Sequence, residues 1–236
     1  MIYATSDLHG CPPDDFLRLL EKAGFGDSDT LYVLGDVIDR NGDGGVAMLR
    51  WIMSRPNVEM LLGNHEAMLL NCAFLFREGG DLRTEGWTAN RVRHLERWSR
   101  NGCRPTVEAL HRLGERNPAA LEALLEFLRG LPLWRRVCAS GRECLLVHAG
   151  LGGFSPEKKL EEYAQDELLW YRPAEDERFF PDILTVFGHT PTGYRFGKKG
   201  RMFRTDTWID IDTGAAGGGM PMLLRLDDLK EFYAGE

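Results

Sequence analysis

Apolar positions in the first third of the chain switch repeatedly between short continuous runs and helical stripes. Ile2-Tyr3-Ala4 reads as a short strand, and Pro12-Pro13 opens a helix over 14–23 with Phe16, Leu17, Leu19 and Leu20 on one face. A second apolar run, 30–34, ends in Gly35-Asp36, and helical spacing returns over 46–53. A third run, 58–61, leads into Gly63-Asn64-His65-Glu66 and a helix over 66–76. This β-α-β-α-β order predicts a largely parallel sheet with helices packed on it.

The alternation breaks in the middle. Residues 78–105, rich in Arg, Gly and Trp, read as helical fragments and loops forming a small cap-like insertion. Helical spacing resumes over 106–129, with Pro118 at the first position of a second helix. Two runs, 134–138 and 144–148, predict a hairpin turning at Ser140-Gly141-Arg142. Further strands are expected at 183–187, 208–212 and 222–226, the last two joined by the flexible Gly217-Gly218-Gly219. With no repeat, low-complexity tract or linker, a single domain over 1–236 is expected.

Charge narrows the function. A formal net charge of −7 and a pI near 5.5 argue against a general nucleic-acid binder. They leave room for an anionic substrate, because bound cations reverse the field within one cleft. No run approaches the ~18 apolar residues of a membrane span, and nothing reads as a signal segment, so a cytoplasmic protein without membrane partner is expected. Five cysteines without a CxxC pair read as free or buried thiols.

The chemistry lies where the strands end. Asp7 and His9 follow the first strand, Asp36 and Asp39 the second, Asn64 and His65 the third; His148 and His189 follow two later ones. Ligands gather at the carboxyl ends of strands in open α/β sheets, so these side chains should converge. Carboxylate, imidazole and amide donors without thiolate suit two divalent cations: Mn²⁺ first, with Fe, Zn, Mg or Ni as further candidates. A carboxylate such as Asp36 can bridge two cations ~3.5–4 Å apart, whose shared water becomes a nucleophile near neutral pH.

Ser-Asp-Leu-His-Gly at 6–10, Gly-Asp-Val-Ile-Asp-Arg at 35–40, Gly-Asn-His-Glu at 63–66, His-Ala-Gly at 148–150 and Gly-His-Thr-Pro at 188–191 resemble the ordered motifs of calcineurin-like metallophosphoesterases, in particular the bacteriophage- and bacterial-type serine/threonine protein phosphatases. The resemblance implies an α+β fold, a four-layer α-β-β-α sandwich of two mixed sheets. It implies that Asp7 and His9 bind one metal, that Asp36 bridges, and that Asn64, His148 and His189 bind the other. His65 would be the general acid, held by Asp39, and Arg40 would clamp the phosphate, as would the arginine of Trp170-Tyr171-Arg172. A metal-bridging hydroxide would attack phosphorus directly.

The expected function is therefore phosphomonoester hydrolysis on a phosphorylated protein or peptide. The alternative is a symmetrical bis(5'-nucleosyl)-tetraphosphatase, and a third reading is a silent phospho-binding module. Asp39 and Glu66 favour the first, because the dinucleotide branch tends to lack that carboxylate and to have Asp in place of Glu66. Two departures stand out. Asn41-Gly42 occurs where many relatives have Gly directly after the arginine, and Asn tolerates the left-handed turn expected there. Leu62 stands where protein phosphatases of the family usually have an arginine, so one phosphate contact is missing.

Other residues read more plainly. His94 is expected at the surface and His111 partly buried in a helix. Arg91, Arg93, Arg97, Arg100 and Arg104 read equally as a solvated face or as a lure for a phosphorylated partner. Trp87 and Trp98 are expected in the core of the cap. Asp206, Asp210 and Asp212 read as the polar face or turn of a strand, and Cys144 as a small buried hydrophobe.

Overall fold

The structure, a computed structural model, describes residues 1–76 and 87–234. Its strands are β1 (Ile2–Thr5), β2 (Thr30–Val33), β3 (Val58–Met60), β4 (Trp134–Ala139), β5 (Arg142–Val147), β6 (Leu184–Phe187), β7 (Phe203–Arg204), β8 (Trp208–Asp210), β9 (Met222–Arg225) and β10 (Lys230–Tyr233). Its α-helices are α1 (Pro13–Ala23), α2 (Val46–Met53), α3 (Asn64–Asn71), α4 (Ala89–Arg100), α5 (Arg104–Arg116), α6 (Pro118–Arg129), α7 (Gln165–Leu169) and α8 (Thr192–Arg195).

Two mixed five-stranded sheets result, in the orders β10-β9-β1-β2-β3 and β4-β5-β6-β8-β7. In the first, β1, β2 and β3 run parallel, β9 pairs antiparallel with β1, and β10 pairs antiparallel with β9. In the second, β5, β6 and β8 run parallel, edged by antiparallel β4 and β7. The two-residue period of a strand divides its side chains between two layers. Ala4, Tyr32, Leu34, Cys144, Leu146, Val186 and Ile209 face a core between the sheets. Their neighbours Tyr3, Leu31 and Val33 turn outward onto Phe16, Leu49, Leu110 and Leu124 of the helices. Leu145, Val147, Phe187 and Trp208 do the same on the far side, against Leu151, Tyr163 and Leu168. This is the predicted four-layer sandwich.

Several predicted elements shift. The expected 78–105 cap contains a regular helix, α4, capped by the Thr88 hydroxyl accepting from Arg91 N–H at 3.3 Å; residues 78–86 of that insertion lie outside the described part. The helix expected over 66–76 starts earlier, at Asn64, and ends at Asn71, followed by a separate 3₁₀ turn, Ala73–Phe76. β7 and β10 carry no strong apolar run and were not expected. Among the described residues no helix is long and apolar enough to cross a membrane, and all five cysteines are free thiols.

Candidate metal centre

The strand-end loops are interlocked by backbone hydrogen bonds. Asp7 N–H donates to Gly35 C=O at 3.1 Å, His9 N–H to Asp36 C=O at 3.0 Å and Gly10 N–H to Val37 C=O at 2.9 Å. Beneath them the buried Glu66 carboxylate accepts from the N–H groups of Asp36 (2.9 Å), Val37 (2.9 Å), Ile38 (3.3 Å) and Gly63 (3.1 Å). Gly63 is required by close approach: a Cβ there would lie 2.3 Å from both Asp36 N and Asp36 Oδ1. This scaffold holds an unfavourable backbone. Asp7, His9, Asp36, Asp39, Arg40 and His189 all have positive φ, from 41° to 74°, each at a cost of ~1–3 kcal/mol.

Asn41 is not among them. The left-handed positions of its turn are Asp39, Arg40 and Gly42, which corrects the expectation for Asn41. Its side-chain amide donates to His9 C=O at 3.0 Å and to Ala215 C=O at 3.1 Å, tying three loops of the site together.

The predicted ligands converge as two groups sharing Asp36. Ligand atoms of His9, Asp36 and His65 lie within 4.8 Å of one another, as do those of Asp36, His148 and His189. Asp36 offers one oxygen to each: Oδ2 is 3.7 Å from His9 Nε2, and Oδ1 is 3.4 Å from His148 Nε2. Asp7 Oδ1 completes the first group, 3.8 Å from His9 Nε2, and Asn64 Oδ1 the second, 2.9 Å from His148 Nε2. His9 and His148 each spend Nδ1–H on a backbone carbonyl, Ile38 at 3.0 Å and Leu34 at 2.7 Å. Their Nε2 lone pairs are thereby aimed at the cluster, as metal-ligating imidazoles usually are.

The donor chemistry fits cations. His148 Nε2 and Asn64 Oδ1, both acceptors once His148 Nδ1–H is spent on Leu34 C=O, lie 2.9 Å apart, and His189 Nε2 is buried without a partner. Burial, then the His65 charge, lowers His9 to about 3, and burial foremost also lowers His148 and His189, which favours the neutral ligand form. Burial, then the charges of Asp7 and Glu66, raises Asp36 well above the usual carboxylate range.

A pH dependence follows. Burial pushes Asp39 and Glu66 each up to about 7, against unfolded values of ~4. Each of these carboxyls binds more protons folded than unfolded, so its contribution to stability is lost as pH rises. The histidines kept neutral by burial work the other way up to their unfolded value of ~6.5, so the net fall is expected above that value. Bound cations would offset part of that loss through Asp36, whose raised carboxyl they would hold ionised. Chelator-stripped protein is expected to melt lower at pH 8 than at pH 7, with a weaker dependence once metal is restored. Identical pH profiles with and without metal would contradict this reading.

His65 stands beside the first group but is engaged elsewhere. Its Nδ1 lies 2.6 Å from Asp39 Oδ2, and its Nε2 faces the cleft 3.8 Å from Asp36 Oδ2. Arg40 and Arg172 lie exposed at the rim. Arg40 helps to depress both His9 and His65, and Arg172 both His148 and His189, so each guanidinium acts on a different part of the site. Arg172 Nη1 also donates to His189 C=O at 3.1 Å. Leu62 is buried against Ala67 and Leu169, with no cation in the place of the family arginine. Arg97 stacks 4.0 Å over Trp170, whose ring stands edge-on to His189. The remaining arginines of that run lie on the outer surface, Arg100 near Glu96 and Arg104 near Glu108.

The polar-face reading of Asp210 and Asp212 is corrected and the turn reading kept. Both are buried while Asp206 is exposed, and Asp210 Oδ1 accepts from Asp212 N–H and Asp212 Oδ1 from Gly214 N–H, each at 2.9 Å. Asp7 is among the charges that raise both, and Asp210 Oδ2 has no hydrogen-bond partner. Their place at the end of β8 (Asp210) and two residues beyond it (Asp212), matching the other strand ends, was the available signal. Trp98 is core, as expected, but it also donates Nε1–H to Asp39 Oδ2 at 2.7 Å. It lies 59 positions from Asp39 in the chain, and no spacing announces that bond.

Fold and converging donors define a metallophosphoesterase. The chain belongs to the calcineurin-like phosphoesterase family, whose profile matches residues 1–211. A relative from Acidovorax sp. (strain JS42), named bis(5'-nucleosyl)-tetraphosphatase, symmetrical, is 33% identical over 196 residues. That match covers 80% of this chain but 57% of the relative, so the chain spans little more than half of that protein's length. Among solved structures, a candidate diadenosine tetraphosphatase superposes with a TM-score of 0.63 at 19% identity, covering 98% of this chain and 90% of its own. A Saccharomyces cerevisiae protein serine/threonine phosphatase superposes with a TM-score of 0.56 at 17% identity, covering 100% of this chain and 80% of its own. Both likenesses are of fold.

Proposed function

We propose that the chain is a metal-dependent hydrolase of phosphoanhydrides in bis(5'-nucleosyl) polyphosphates, the symmetrical tetraphosphate foremost. The likeness to relatives of that name over 80% of the chain carries the reading, and it displaces the phosphoprotein substrate expected from the motifs. Leu62 agrees with it: its apolar burial leaves the cleft without a third guanidinium focused on one terminal phosphate. Asp7, His9 and Asp36 hold one cation, and Asp36, Asn64, His148 and His189 the other, Mn²⁺ first among the metals. Bound there, the cations supply the charge that a phosphoryl group and an attacking water need. His65 delivers a proton to the leaving oxygen, Asp39 orients its imidazole, and Arg40 and Arg172 align the anionic substrate.

The Asp39–His65 pair, 2.6 Å apart, supports phosphoserine or phosphothreonine hydrolysis as a second reading. An alkoxide leaving group needs a proton far more than a nucleoside diphosphate does. Side-by-side assays of diadenosine tetraphosphate and a phosphopeptide decide between them. We expect kcat/KM at least about tenfold higher on the dinucleotide, a difference of ~1.4 kcal/mol in transition-state stabilisation, with two ADP as products. Faster phosphopeptide turnover would replace the first reading by the second.

A further inference from the structure

The buried Asp39 carboxylate is gripped from a direction that the metal-site motifs do not supply. Besides His65, Trp98 Nε1–H donates to its Oδ2 at 2.7 Å, and Thr106 Oγ–H donates to its Oδ1 at 2.6 Å. Thr106 Oγ1 also accepts from Asp39 N–H at 3.0 Å. Trp98 lies near the end of α4 and Thr106 in the first turn of α5, on either side of the corner at Gly102. That corner docks on the same loop: Arg40 N–H donates to Gly102 C=O at 3.0 Å, and a Cβ on Gly44 would lie 2.2 Å from Thr106 N. Trp98 and Thr106 are both fully buried. A polar side chain is seldom buried so completely unless its bonds hold something in place.

We propose that the α4–α5 corner, through Trp98 and Thr106, is the positioning element of the catalytic acid. The inference rests on the reading of His65 as that acid. A carboxylate that already accepts from an indole N–H and a hydroxyl can turn only toward His65, so it fixes both the imidazole plane and the proton on Nδ1. In the imidazolium that this carboxylate stabilises, the second proton sits on Nε2, which faces the leaving oxygen; once it is delivered the ring is neutral and keeps Nδ1–H. The α5 N-terminus, with its partial positive charge, adds a field that favours Asp39 as an anion.

The test compares Trp98→Phe, Thr106→Val, Thr106→Ser and His65→Asn on phenyl phosphate and 4-nitrophenyl phosphate. The phenolate leaving group depends on protonation and the nitrophenolate far less. Trp98→Phe and Thr106→Val are each expected to lose about tenfold in kcat on the phenyl ester, within the ~10²–10⁴-fold that a general acid supplies, and less than about twofold on the nitrophenyl ester. KM and metal content should hold, and Thr106→Ser should recover most of the loss. Independently of turnover, the hydrogen-bonded Nδ1–H proton resonance that His65→Asn removes should move upfield in Trp98→Phe and Thr106→Val. Equal losses on both esters for His65→Asn would sink the acid reading and the proposal with it. A leaving-group-selective loss in His65→Asn, but none in Trp98→Phe or Thr106→Val, would overturn the proposal alone. Thr106→Ser no better than Thr106→Val would also overturn it.

Discussion

Asp36→Asn is expected to lower kcat by at least ~10³-fold, about 4 kcal/mol of barrier, and to leave the protein short of both cations. Asp36 is the residue whose two oxygens face different ligand groups, 3.7 Å from His9 Nε2 on one side and 3.4 Å from His148 Nε2 on the other. The amide removes the negative charge and offers only one oxygen, so neither cation keeps its full donor set. Asp7→Asn touches the first group only and should cost mainly one metal. Metal counting alongside kcat separates the two variants, and equal stoichiometry in both would refute Asp36 as the bridge. The His65 backbone N–H also donates to Asp36 Oδ1 at 3.0 Å, so the variant's fold is checked by its melting curve.

The largest stability effect should come from a residue that touches no substrate. Glu66→Ala strips the common acceptor from four buried N–H groups, those of Asp36, Val37, Ile38 and Gly63. Hydrogen bonds to a charged group contribute ~1.5–3 kcal/mol each, and the orphaned donors cannot all find water. Allowing for relaxation, the expected cost is ~4 kcal/mol, or a fall of about 8–16 °C in Tm for a chain of this size. Glu66→Asp keeps the charge but shortens its reach by one methylene, and should lie between. A loss below about 1 kcal/mol in Glu66→Ala would show that the loops are held by strand packing alone. The same network explains how the positive φ of Asp36 is tolerated, since the residue is fixed at both its N–H and its side chain.

Much of this protein was legible in the chain itself. Short apolar runs ending in Gly-Asp or Gly-Asn-His placed Asp36, Asn64 and His65 at strand ends, because a parallel strand delivers its carboxyl-terminal residues to one rim whatever surrounds it. Periodicity likewise placed α1, α2, α6 and the β4–β5 hairpin. Two-residue alternation, read from both sheets together, gives the four layers. What the tertiary structure alone decided concerns contacts between segments distant in sequence. Asp39 meets Trp98 and Thr106 across 59 and 67 positions, so a residue read as cap core also became a hydrogen-bond donor to the site. Asp210 and Asp212 looked like a polar face because alternation cannot distinguish solvent from a buried polar cleft. β10 carries exposed Lys230 and Glu231 beside buried Phe232 and Tyr233, and becomes a strand by pairing with β9. Asn41, placed by its backbone preference, works through its side chain instead. Local sequence fixes which groups stand at the ends of strands, whereas the partners that orient them come from packing between distant segments.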